Sequence, residues 1–120
     1  MKRILAVDDS PSMRDLVALT LRQAGFEVTQ AKDGDEALAL ATASEYDLVL
    51  ADVNMPNMNG IDLIKALRGD ERYRLVPILM LTTESSQDRR REGKAAGATG
   101  WIIKPFEPQQ LVDTLHRVLR

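Results

Sequence analysis

The chain has 120 residues, 44% of them hydrophobic and 28% charged, with a formal net charge of -2. That describes one globular domain with a core of its own, and it gives no bulk electrostatic reason to bind nucleic acid. With no cysteine there is no disulfide framework or thiolate metal site, no apolar run approaches the roughly 20 residues of a membrane span, and the short run 4–7 is no signal peptide. A single cytoplasmic domain over 1–120, with no output domain and no membrane segment, is the expectation.

Strand and helix signals alternate along the chain. Ile4, Leu5, Ala6 and Val7 form an apolar run that ends on Asp8 and Asp9. Ser10 suits a helix N-cap and Pro11 the first helical position. Met13, Leu16, Val17 and Leu21 follow at helical spacing, and Gly25 stands where a helix terminates. Residues 26–31 mix apolar and polar side chains and read as a less buried strand. Asp33 and Gly34 turn the chain, and Ala37, Leu38 and Ala41 carry a second helix.

The run 48–51 ends on one carboxylate, Asp52, and is followed by turn residues. Its length and composition predict a buried strand of a parallel sheet. Ile61, Ile64 and Leu67 line a third helix that Gly69 and Asp70 end. A fourth strand, 77–81, runs into Thr82. Residues 85–96 give a fourth helix poor in apolar residues, with Gly93 in its interior costing about 1 kcal/mol relative to alanine. This helix is expected to be the least stable and the one that moves. A fifth strand, 101–103, leads to Lys104 and Pro105. Leu111, Leu115, Val118 and Leu119 make the last helix, from near Pro108.

Strands and helices alternating through short loops imply parallel strands. Asp8 and Asp9 can act with Asp52 only if their strands are neighbours, which, taken with the known template of doubly wound folds, gives the order 2-1-3-4-5. The expected fold is a flavodoxin-like, doubly wound α/β sandwich with five helices, its switch point between the first and third strands. Asp8, Asp9, Asp52, Thr82 and Lys104 then share one sheet edge. Clustered carboxylates resist ionising together unless a cation joins them, and oxygen ligands select a hard divalent ion such as Mg²⁺. A cation, an ammonium and a hydroxyl around one carboxylate make a cradle for phosphoryl transfer onto it. Asp52, alone at its strand end, is the nucleophile candidate.

Asp8 with Asp9, then Asp52, Thr82, and Lys104 with Pro105 resemble the receiver domain of two-component response regulators, over essentially the whole chain. The run Asn54, Met55, Pro56, Asn57, Met58 resembles the family's single-domain chemotaxis regulators. The resemblance implies that Asp52 is the phosphoacceptor and that Asp9, Asp52 and the Asn54 backbone carbonyl ligate Mg²⁺, with Asp8 acting mostly through water. It implies that Thr82 hydrogen-bonds the phosphoryl group, that Lys104 pairs with it, and that the Lys104–Pro105 bond is cis. It places Trp101 where the family's switch aromatic, usually Tyr or Phe, rotates, and gives Asn54 and Glu84 the positions that modulate dephosphorylation. A histidine kinase of the chemotaxis type would be the phosphodonor and a flagellar motor switch protein a downstream target. The chain would be a monomer that catalyses only its own phosphorylation and dephosphorylation. A phosphate sink, a relay intermediate and a fragment of a larger regulator are the alternatives.

Plainer readings stand beside these. Asp9 could simply favour the positive end of the first helix, and Trp101 could be a packed edge-strand aromatic. Arg89, Arg90 and Arg91 read first as a solvated helix face, and His116 as a surface residue. A flavin binder is disfavoured because Asp8 and Asp9 would repel its phosphate. A dehalogenase-type phosphatase would carry an acid where this chain has Asn54.

Overall fold

In the computed structural model, which describes residues 1–53, 55, 58–83 and 87–119, the apolar runs become five parallel strands. They are β1 (Arg3–Val7), β2 (Glu27–Ala31), β3 (Leu48–Asp52), β4 (Ile78–Thr82) and β5 (Gly100–Ile103). Five helices alternate with them: α1 (Pro11–Gln23), α2 (Gly34–Ala43), α3 (Gly60–Arg68), α4 (Gln87–Ala96) and α5 (Pro108–Val118). The strand order is β2-β1-β3-β4-β5. The expected doubly wound architecture is therefore present, with its switch point between β1 and β3.

The burial of each strand follows from its place in the sheet. Every residue of β3 and β4 is buried, so their side chains are covered on both faces. The edge strands β2 and β5 alternate with solvent. Two cores result. Leu5, Val7, Val49, Ala51, Ile78 and Met80 pack with Ala37 and Ala41 of α2 and with Ile61, Ile64 and Leu67 of α3. Ile4, Ala6, Leu48, Leu50, Leu79 and Leu81 pack on the other face with Val17 and Leu21 of α1 and with Leu111 and Leu115 of α5. The period-2 alternation of each central strand thus feeds two helical layers.

The helix starts are fixed by their own caps. Ser10 accepts from the Met13 amide and Asn59 from the Asp62 amide. Asp33, expected in a turn with Gly34, instead caps α2 by accepting from the Glu36 amide at 2.8 Å, and Gly34 is the first helical residue. Gly25 lies just past α1 with φ of +97°.

Two features of the fold differ from what the residues suggested. Gly93 looked like a weakness of α4, yet it is the buried residue of that helix, and a Cβ there would meet the Met80 sulfur at 2.2 Å. The glycine lets a helix of few apolar residues lie close on β4. A 3-10 turn over Glu71–Tyr73 also had no periodic signal. It delivers the Tyr73 hydroxyl to the carbonyls of Ala41 and Ser44. Beside it, Arg68 donates to the carbonyls of Tyr73, Val76 and Gly97, tying the end of α3 to the approach to β4 and to the end of α4.

Candidate functional site

The carboxyl ends of β1, β3, β4 and β5 meet at the switch point, and each delivers one chemical group. Asp52 is the last residue of β3 and Thr82 the last of β4, and both are buried. Asp8 directly follows β1 and is also buried, whereas the next residue, Asp9, is exposed. Lys104 directly follows β5, and its backbone amide donates to the Thr82 carbonyl at 2.8 Å, which holds the two strand ends together. Lys104 precedes Pro105 through a cis peptide bond, as expected.

Carboxylate oxygens of Asp8, Asp9 and Asp52 all lie within 4.8 Å of one another. The Lys104 ammonium reaches into this group, 3.1 Å from Asp8 Oδ2 and 3.2 Å from Asp52 Oδ2. The Lys104 side chain is 11% exposed and its two partners 4% and 7%, so the ion pairs are formed largely out of water. Burial alone would lower the lysine pKa. The hydrogen bond to Asp8 and the charges of Asp52 and Asp8 outweigh it, so the pKa stands above the ordinary 10.5. A raised lysine pKa means that the lysine's contribution is fully present below its ordinary 10.5, and is lost as the pH climbs through the raised value.

Three carboxylates against one ammonium leave the pocket short of positive charge. Hard oxygen donors converging at this spacing fit a divalent cation such as Mg²⁺. Asp8 and Asp52, with Lys104 on one oxygen each, and the exposed Asp9 are the described residues that would hold it. Asn54, expected to ligate through its carbonyl, and Glu84, expected to flank the attacking water, lie outside the described residues, as does Ser85, expected to begin the fourth helix.

Two partners of Asp8 carried no sequence motif. The Ser10 amide donates to Asp8 Oδ1 at 2.9 Å, and the Arg14 guanidinium donates to the Asp8 carbonyl at 2.8 Å. Arg14 did leave one physical trace, a cation near a helix start, where the macrodipole disfavours it. Trp101 lies on edge strand β5, 40% exposed, with the Arg90 guanidinium 4.8 Å from its ring centre. Arg89 and Arg91 pair with Glu92 and Asp88 on the solvated face expected of them. His116 is exposed, with its ring against Phe26.

A doubly wound sheet with acids and a lysine at its switch point is the architecture of a signalling receiver. The response regulator receiver domain family matches residues 4–116, and the chain belongs to that family. It is 40% identical to a chemotaxis protein, CheY, of Pseudomonas aeruginosa over 117 residues, covering 97% of this chain and 94% of that protein. It is 39% identical to the phosphate regulon transcriptional regulatory protein PhoB of the same organism, covering 99% of this chain but 52% of that one. The solved structure of the Vibrio cholerae chemotaxis protein CheY4 superposes with a TM-score of 0.96 at 53% identity, covering 98% of both chains.

Proposed function

We propose that the chain is a Mg²⁺-dependent phosphoacceptor that takes a phosphoryl group on Asp52 from a histidine kinase and thereby changes what it binds, in chemotaxis signalling. The observation that carries this reading is the Lys104 ammonium lodged between Asp52 and Asp8 within a three-carboxylate pocket. An Asp52 oxygen attacks the phosphorus of a phosphohistidine, the P–N bond breaks, and an acyl phosphate forms on Asp52. The ammonium beside Asp52 offsets charge on the incoming phosphoryl oxygens, and the Thr82 hydroxyl, at the end of the adjacent strand, donates to one of them. A bound Mg²⁺ would neutralise the remaining charge between the carboxylates and the phosphoryl group. The new charge acts on the α4–β5–α5 face, where Trp101 and the start of α4 follow the motion of Thr82. In this reading the protein works in the cytoplasm as a monomer, catalyses only its own phosphorylation and dephosphorylation, and delivers the signal to a protein such as a flagellar motor switch component.

Calorimetric titration with Mg²⁺ tests the pocket. The parent should bind one ion, and Asp9→Ala should bind several-fold more weakly, because it removes an oxygen donor. Equal affinity would remove Asp9 from the ligand set.

The lifetime of the phosphoryl group separates signalling types. Asn54 and Glu84 are polar residues suited to admit and hold the attacking water. The phosphorylated protein should decay within seconds to minutes in Mg²⁺, followed by loss of the phosphoryl mass. Persistence for many hours would count against chemotaxis and favour a slow transcriptional type.

A further inference from the structure

Asp9 differs from the other acids of the pocket in how it is held. Asp8 has a partner on each carboxylate oxygen, the Ser10 amide and the Lys104 ammonium, and Asp52 is buried beside the same lysine. The Asp9 carboxylate is exposed, and no hydrogen bond or ion pair holds it among the described residues. Its direction is therefore set by its backbone. The peptide plane that leads into Asp9 is the one whose carbonyl belongs to Asp8, and that carbonyl accepts from the Arg14 guanidinium at 2.8 Å. The other side of the same turn is tied down as well, since the Asp8 amide donates to the Ala31 carbonyl and the Arg14 amide donates to the Ser10 carbonyl.

We propose that Arg14 is a positioning residue for the cation pocket. By gripping the Asp8 carbonyl from the first turns of α1, it fixes the Asp8 to Asp9 peptide and aims the Asp9 carboxylate at the ion. This rests on the reading of Asp9 as a ligand. Groups that orient a ligand without touching the metal typically change affinity by 10- to 100-fold when lost.

The two things Arg14 could do to a cation have opposite signs, which makes the role measurable. As a bare positive charge near the pocket it would repel Mg²⁺, and neutralising it would tighten binding. As the anchor of the turn it favours binding, and losing it would weaken binding. Arg14→Met keeps the apolar stem on α1 and removes both the donors and the charge. Arg14→Lys keeps the charge and one donor.

Mg²⁺ titrations of the parent, Asp9→Ala, Arg14→Met and Arg14→Lys decide between them, with the metal-free unfolding midpoint of each recorded. The expected result is roughly tenfold weaker binding in Arg14→Met, most of it recovered in Arg14→Lys, and metal-free midpoints close to the parent's. Unchanged or tighter binding in Arg14→Met would overturn the proposal. So would an equal loss in Arg14→Lys, or a metal-free midpoint that falls along with the affinity. A weakened Asp9→Ala beside a parent-like Arg14→Met would sink the role of Arg14 alone. A parent that binds no Mg²⁺ would sink the reading of the pocket and this inference with it.

Discussion

Asp52→Asn should take up no phosphoryl group from a small phosphodonor in Mg²⁺, while the parent gains one, as read by intact-protein mass spectrometry. The amide lacks the nucleophilic oxygen pair of a carboxylate, so the effect is a complete loss and not a slowing. The variant should nonetheless fold. Lys104 loses one of its two buried partners but keeps Asp8 at 3.1 Å, so its charge stays paired. Removing one of three crowded negative charges also relieves repulsion among them. Urea unfolding should therefore show a stability no lower than the parent's. Persistent labelling of Asp52→Asn would remove Asp52 as the acceptor, and a collapse of its stability would mean that the Lys104 pairing holds the fold together.

Gly60→Ala should be the most costly glycine substitution near the site. A Cβ there would lie 2.4 Å from the Asp52 carbonyl oxygen and 2.9 Å from Val53 Cα, so the obstacle is backbone that cannot rotate aside. The same glycine donates its amide to the Val53 carbonyl, which sets α3 directly against the end of β3. Overpacking of this kind costs about 1–3 kcal/mol, and a clash with main chain belongs at the upper end. The displaced Asp52 backbone should also slow phosphorylation. Gly69→Ala makes the contrast. Gly69 has φ of -77°, and its nearest neighbour to a new Cβ is a carbonyl at an ordinary 3.4 Å. That change should be neutral or stabilise by up to about 1 kcal/mol through the unfolded chain. Urea unfolding of both variants checks the pair. A Gly60→Ala protein as stable as the parent would show that the Asp52 backbone can yield.

Much of this was legible in the residues because it rests on strong local patterns. Central strands covered on both faces read as unbroken apolar runs, and each run in 4–7, 48–51 and 77–81 ended on a polar group. The need to bring Asp8 and Asp9 beside Asp52 made the first and third strands neighbours, and the known doubly wound template supplied the rest of the order, which is the one observed. What stayed hidden depends on contacts between distant segments. Arg68 reaches Gly97, twenty-nine residues away in sequence, and nothing in a periodic pattern marks an arginine that serves carbonyls. Gly93 looked costly from helix propensity, because propensity knows nothing of Met80 on the neighbouring strand. No motif marks Arg14, because its partner is a backbone carbonyl, which every residue carries.

The most direct measurement is to locate the phosphoryl group chemically on the parent protein. Phosphorylation in Mg²⁺, trapping of the acyl phosphate by borohydride reduction and peptide mapping would mark the residue that carried it. The expected result is a single reduced aspartyl residue at position 52, absent when Mg²⁺ is withheld. A mark on Asp8 or Asp9 in place of Asp52, or a mark that forms equally well without Mg²⁺, would contradict a pocket built to phosphorylate Asp52.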